Sequence, residues 1–315
     1  MRASDEADTA IPISAVERET GLSKDTLRMW ERRYGFPAPG RDPFGDRLYP
    51  RPQVDKLRLI RRLMDQGFRP GRIIGESYQT LVALAGTRPA QQAPEAQEQD
   101  AVRELLALVK AHRVAELQAA LQQCIQDQGL RRFVLDLASP LAHAVGEAWF
   151  HGELAVFEEH LFTEVVQNLL RKWIGEARNA SGQRPPRILL TTFPNELHAL
   201  GLLMAEALMT MDGAECLSFG LQLPVADIIQ AALAHRVDVV TVALSPAYPR
   251  TATNEGLSEL RGALPAAIEV WAGGGGVMRL KRVPEGVVVV SALADVSAAI
   301  RHWRQQPGRA GAGPA

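Results

Sequence analysis

The sequence has little that could cross-link it or anchor it in a membrane. Among its 315 residues there are two cysteines, Cys124 and Cys216. Their separation fits no Cys-x-x-Cys spacing, so neither a disulfide framework nor a cysteine-based zinc site is expected, and both are read as reduced, buried thiols. No apolar run approaches the ~18–20 residues of a membrane span. The first residues, MRASDEADTA, are acidic and lack the basic-then-apolar order of a secretory signal, which makes the cytoplasm the expected location and gives the membrane no role. Net charge is nearly absent at -1, so bulk charge selects no partner. What remains is an ordinary globular composition, 46% hydrophobic and 23% charged. That argues against wholesale disorder, and the length exceeds what one core usually encloses, so two or three domains are expected.

Charge of one sign is missing overall but not locally. Residues 11–75 hold 14 Lys/Arg against 8 Asp/Glu, whereas residues 76–315 hold 20 against 25. A basic front module is the footprint of a surface that meets phosphates. Within it, Ile11 to Tyr34 reads as two short helices around a tight turn: Ser14 caps the first, Gly21 ends it, and Ser23 caps a second running from Lys24 to Tyr34. Arg28 and Arg32 lie four apart and share a face of that second helix, while Leu27 and Trp30 fall on the side a core requires. A basic second helix after a turn suits the major groove, where arginine reads guanine edges or clamps phosphates.

Downstream, the stretch Thr87 to Gln99 (TRPAQQAPEAQEQ) has no apolar periodicity and reads as a linker closing a first domain of residues 1–85. Residues 100–180 carry apolar positions three and four apart, such as Val102, Leu105, Leu106 and Val109, and are expected to form a four-helix bundle. A Gly/Pro-rich break, NASGQRPP, precedes RILLTTF at Arg187–Phe193. From there strands alternate with helices to about residue 305, with helices over 197–211, 224–235 and 254–264 and strands over 215–221, 237–244, 268–272 and 287–290. That alternation predicts a doubly wound, parallel α/β fold. The tail from residue 306, QPGRAGAGPA, is expected to be disordered.

The stretch TLRMWERRYGFPAPGRDPFGDRLYP resembles the recognition helix and wing of MerR-family regulators, a winged helix-turn-helix, and the likeness covers roughly the first 75 residues. By that resemblance Thr26, Arg28, Arg32, Arg33, Arg41, Arg47 and Tyr49 form the DNA-binding set. Arg28 and Arg47 then contact phosphates or bases, Tyr49 supports the wing, and Arg41 lies in its hairpin. Double-stranded operator DNA is the implied partner. One such module buries little DNA surface, so self-association to a dimer or tetramer is expected, through the C-terminal domains.

After the first strand of the α/β segment comes Glu196-x-His198-x-x-Gly201, which is similar to the cobalamin-binding signature of methionine-synthase-like domains. The residue types suit that chemistry. A neutral imidazole ligates a transition metal, and a carboxylate two residues earlier can accept its other N–H and fix the tautomer. The resemblance makes His198 the axial ligand to cobalt and places Glu196 and Gly201 beside it. It also has Ser245 with Gly273, Gly274 and Gly275 lining a slot for the cofactor's nucleotide tail; Ala247 stands where the signature has leucine. Upstream, Trp149 followed by Glu159-His160 resembles the helical cap of light-responsive MerR regulators of the CarH and LitR type, where these residues cover the upper face of the corrin. Phe150 stands where the light-sensing relatives carry a histidine.

Taken together, these features imply a non-enzymatic, cobalamin-dependent transcriptional regulator, a repressor responsive to light, with adenosylcobalamin as cofactor. One rival keeps the DNA binding but places haem, a bilin or no cofactor in the sensor. Another, a corrinoid carrier for methyl transfer, gives the basic front module no role.

Overall fold

The computed structural model describes residues 10–65, 68–85, 96–180 and 182–306. Most of the linker and the tail from residue 307 lie outside the described residues. The chain divides into two compact units, residues 1–93 with 150–153, and residues 94–149 with 154–315.

In the first unit β1 (Ile11–Pro12) runs directly into α1 (Ile13–Thr20), and α2 (Lys24–Tyr34) follows after a short turn. The hairpin of β2 (Gly40–Arg41) and β3 (Arg47–Tyr49) adds to β1 in an antiparallel sheet of order β1-β3-β2. Helices α3 (Arg51–Asp65), α4 (Pro70–Ile73) and α5 (Tyr78–Ala85) complete the unit. Gly21 ends α1 in the left-handed region at φ +67°, its N–H bonded to the Glu17 carbonyl, a conformation glycine adopts without steric cost. The Ser23 hydroxyl accepts the Thr26 N–H at 3.2 Å and caps α2. Ser14 does not cap α1. Ile11 and Pro12 pair with Tyr49 and Leu48, so the chain passes from strand to helix at Ile13 and Ser14 falls inside the first turn. Val16, Leu27, Trp30, Tyr49, Leu57 and Ile60 fill the core. At its edge Glu19 accepts hydrogen bonds from Arg51 and Arg58, tying α1 to α3.

The second unit opens with four helical passes. These are α6 (Ala96–Lys110), α7 (Val114–Gln128), α8 (Leu130–Arg132) continuing through a π-helical turn at Phe133–Ala138 into α9 (Ser139–Phe150), and α10 (Val156–Ala180). Helix α6 therefore begins inside the stretch read as linker. Next come β4 (Arg184–Thr191), α11 (Leu200–Met211), β5 (Ala214–Ser218), α12 (Val225–Ala234), β6 (Val239–Ala243), α13 (Arg250–Ala263), β7 (Glu269–Gly273), β8 (Val287–Val290) and α14 (Val296–Gln305). All five strands are parallel, in the order β5-β4-β6-β7-β8. Strand β4 starts three residues before the apolar run, at Arg184, with its register shifted between Arg184 and Arg187. Pro185 and Pro186 occupy that shift, where a missing N–H costs no ladder hydrogen bond.

Residues of β4 alternate between two cores, as a pleated strand covered on both faces must. Ile188 and Leu190 join the core made with the bundle, α11 and α14, including Phe133, Phe162, Val166, Leu170, Leu203, Ala207 and Trp303. Leu189 joins the opposite core with Ile228, Val240, Val242, Leu257 and Leu260. The bundle therefore shares a continuous apolar interior with one face of the sheet. Among the described residues no helix is long and apolar enough to cross a membrane. Cys216 is buried but Cys124 only half-buried, and both are free, so the expectation of two buried thiols holds for one.

Candidate functional site

In this strand order the chain steps from β4 to one side, to β5, and then back across to β6. Open α/β sheets bind ligands outside the carboxyl ends of the strands at such a reversal, because the connections there diverge and leave a crevice. The loop after β4, residues 192–199, and the loop after β6 flank that place. Glu196, His198 and Ser245 all lie on these two loops.

Helix α11 begins at Leu200, three residues later than the periodicity suggests, so His198 sits in irregular backbone. Glu196 is the reason. Its side chain, 1% exposed, accepts the His198 N–H through Oε1 at 3.0 Å and the His198 Nδ1–H through the same oxygen at 2.6 Å. The other oxygen, Oε2, accepts the Ser245 N–H at 2.7 Å. With Nδ1 committed, Nε2 carries the free lone pair, and the His198 side chain is 63% exposed. The carboxylate raises the His198 pKa above its ordinary value; burial opposes this, and the Glu159 charge at the start of α10 adds to it. Burial pushes the Glu196 carboxyl up, but the hydrogen bonds from His198 and Ser245 outweigh it, and Glu196 titrates below the usual range.

Three residues that the sequence reading passed over fix this loop. Thr192 donates its hydroxyl to the Glu196 carbonyl at 2.9 Å and accepts the Gln222 N–H at 2.8 Å. The Tyr248 hydroxyl donates to the Pro194 carbonyl at 3.1 Å. Asn195 turns the chain at φ +67°, a left-handed conformation that asparagine tolerates better than most residues. Asparagine before the Glu-x-His motif was the signal available for the last of these; nothing in the local sequence announces the other two.

The Ser245 hydroxyl is buried and has no hydrogen-bond partner. Gly201 has open space where a Cβ would be. The glycines that follow β7 lie close against neighbouring backbone and side chains. A Cβ on Gly274, whose φ is +90°, would stand 2.4 Å from the Leu244 carbonyl oxygen, and one on Gly275 would stand 2.5 Å from Cγ of Pro246. Gly276, not singled out from the sequence, would meet the Ser245 carbonyl oxygen at 2.6 Å. This loop is glycine-rich because it lies directly against residues 244–246, which holds the Ser245 backbone in place. A Cβ on Gly273, at the end of β7, would meet the Val290 carbonyl oxygen at an ordinary 3.4 Å.

From the bundle, Trp149 packs partly buried against the shared core. His160 donates through Nδ1 to Glu159 at 2.6 Å, and the Thr163 hydroxyl donates to the same carboxylate at 2.7 Å. Phe157 and Leu161 on α10 and Leu197 beside His198 are exposed. The Phe150 side chain lies outside the described residues. Thus Glu196, His198 and Ser245 are brought together, with Glu159 within electrostatic reach of His198. The site offers a lone imidazole, a buried unpaired hydroxyl and exposed apolar side chains. That donor set fits a metal arriving inside its own macrocycle with an apolar rim and hydrogen-bonding appendages.

In the first unit, Arg28, Arg32, Arg33 and Arg41 are exposed. Asp25, Arg28, Arg32 and Arg47 line one concavity. Arg28 pairs with Asp25 at 3.6 Å, and Arg33 lies over the Tyr34 ring. Thr26 shares the cap with Ser23 through a hydroxyl contact of 2.8 Å. Arg47 donates to Glu31 at 2.8 Å, which raises its pKa and fastens the hairpin to α2. Tyr49 is fully buried, a position from which it supports the wing and presents no surface to DNA.

A winged helix-turn-helix joined to a helical bundle on a parallel α/β sheet is the architecture of a two-module regulator. Residues 11–75 match the model of the MerR HTH family regulatory proteins, and residues 101–172 match that of the B12 binding domain. The chain thus carries a MerR-type DNA-binding module followed by the helical module of a B12-binding domain. Over 291 residues, 90% of this chain and 95% of the relative, it is 29% identical to the HTH-type transcriptional repressor CarH of Myxococcus xanthus. Over 234 residues, 73% of this chain and 75% of the relative, it is 29% identical to the repressor CarA of the same organism. The monomethylamine corrinoid protein of Methanosarcina barkeri superposes with a TM-score of 0.52 at 12% identity, over 65% of this chain and 99% of that one, a likeness of fold.

Proposed function

We propose that the chain is an adenosylcobalamin-dependent repressor that holds operator DNA as a dimer or tetramer and releases it on illumination. The observation that carries this reading is His198, oriented by buried Glu196 so that Nε2 faces outward at the sheet's reversal point.

A bound cobalamin would supply a cobalt centre able to take one nitrogen donor from the protein. His198 Nε2 is the donor. Glu196 fixes the tautomer and raises the basicity of the ring, an effect that in other metal sites is worth 10–100-fold in affinity. The Ser245 hydroxyl, unpaired within the protein, would be free to donate a hydrogen bond to the group, and Gly201 leaves room for close backbone approach. Trp149, Glu159 and His160, on the bundle side of the site, would help to hold the group and exclude water from it.

Switching requires that the ligand bind the DNA-holding assembly more tightly than the released one, a coupling typically of about 1–3 kcal/mol. Arg28, Arg32, Arg33 and Arg41 provide the phosphate and base contacts, while Arg47 and Thr26 fix the geometry of wing and helix. Such a regulator works where the chromosome is, in the cytoplasm, and catalyses no reaction. Gel shifts with and without adenosylcobalamin, in darkness and after green light, test the reading. Retardation only with the cofactor in darkness is expected, and identical shifts in all four conditions would remove the sensing function. The absorbance of the purified protein separates a corrinoid from haem or a bilin.

A further inference from the structure

The most exposed large apolar side chain among the described residues is Phe44, at 92%. It stands at the tip of the β2–β3 hairpin, where solubility alone would favour a polar residue. Leaving a phenyl ring in water forgoes the burial that aromatic side chains ordinarily contribute.

The tip is built to hold that ring outward. Asp42 Oδ1 accepts the N–H groups of Phe44 at 2.9 Å and Asp46 at 2.8 Å. The Asp42 N–H donates to the Asp46 carbonyl at 2.9 Å, and the Gly45 N–H donates to the Asp42 carbonyl at 3.0 Å. Gly45 reverses the chain at φ +85°. Arg41 donates to the Gly45 carbonyl at 2.7 Å and closes the turn. Asp42 thus holds the loop together from within, and Phe44 projects from its tip. At the root of the hairpin, Arg47 is fastened to Glu31 of α2, so the tip is carried at a fixed offset from the helix that bears Arg28 and Arg32.

We infer that Phe44 is an apolar wedge that enters the minor groove of the operator beside the major groove occupied by α2. The inference rests on the DNA-binding reading above and adds a residue to it. A groove about 6 Å wide admits the edge of a phenyl ring. Apolar wedges placed there lever apart flexible pyrimidine–purine steps, adding sequence preference at positions no hydrogen bond reads.

The test uses the full-length, corrinoid-loaded protein and duplexes that it selects from a random pool. Phe44→Ala is expected to weaken binding about tenfold and to erase the preference at a pyrimidine–purine step flanking the α2 contacts. Its plot of log affinity against log salt keeps the wild-type slope, since no phosphate contact is lost. Arg28→Ala, in contrast, lowers the slope by about one. Phe44→Trp retains binding and site preference. Phe44→Ala with affinity within about twofold of wild type and an unchanged selected sequence would overturn the wedge. So would a Phe44→Ala protein whose sedimentation changes while its DNA contacts do not, because the ring would then belong to a protein interface. If the wild-type protein selects no duplex at all, the DNA-binding reading falls first and the wedge with it.

Discussion

The Glu196 carboxylate accepts the Ser245 backbone N–H at 2.7 Å across 49 residues of chain. One buried side chain thereby orients the imidazole of His198 and joins the loops after β4 and β6, so that neither loop is positioned independently of the other.

Replacing that carboxylate separates its two tasks. Glu196→Gln preserves shape but removes the charge that fixes His198, and corrinoid retention through gel filtration should fall about 10–100-fold. Glu196→Ala should in addition lower the melting temperature, because the Ser245 N–H loses its partner, a cost of about 1–3 kcal/mol. His198→Ala should abolish retention and also lower the melting temperature of the cofactor-free protein, since buried Glu196 loses its side-chain partner, a cost of about 1–3 kcal/mol. If Glu196→Gln retained corrinoid like wild type, His198 would not depend on its neighbour.

Ser245 gives a cleaner distinction between folding and binding. Its hydroxyl makes no hydrogen bond inside the protein, so Ser245→Ala should leave stability unchanged or slightly raised. Corrinoid affinity should nevertheless weaken by about the 0.5–1.5 kcal/mol of one hydrogen bond, measured by absorbance titration.

Two glycines should behave oppositely. Gly274→Ala would place a Cβ 2.4 Å from the Leu244 carbonyl oxygen at a φ of +90°, and a loss of several kcal/mol in urea melts is expected. Gly201→Ala meets nothing within 4 Å and lies in the first turn of α11, so the apoprotein should gain about 0.5–1 kcal/mol. Any loss of corrinoid affinity in that variant would then report the close approach of the ligand.

Thiol reactivity should divide sharply. Burial pushes Cys216 up to about 12, so at pH 9 its thiolate fraction is about one part in a thousand. The sign follows from the neutral form being the one burial favours: reactivity appears only as pH rises toward that value or as the protein unfolds. Iodoacetamide at pH 8.5 should modify half-buried Cys124 first, with Cys216 following only in denaturant. Mass spectrometry of the labelled peptides decides the order.

The comparison of sequence with structure turns on which interactions are local. Ser23 before Lys24, Gly21 after Thr20, and Leu27 with Trp30 on one helix face are short-range signals, and they place α1 and α2 correctly. Ser14 misled because the competing event, pairing of Ile11 and Pro12 with β3, involves residues nearly forty positions away. The Glu-x-His spacing announces a fixed imidazole, since donor and acceptor are two residues apart. The glycine run announces only that backbone comes close to something; that it is residues 244–246 could not be read from the run itself.

By itself the sequence determined the order of elements, the basic front, and the chemistry of Glu196 and His198, because these depend on periodicity, capping and neighbours a few residues apart. Tertiary structure alone decided the strand order that puts β4 beside β6. It also decided the burial of Glu196 that gives its charge force, the pinning of Arg47 by Glu31, and the projection of Phe44. Each of these rests on contacts between segments distant in sequence, and such contacts exist only once apolar burial has brought the segments together.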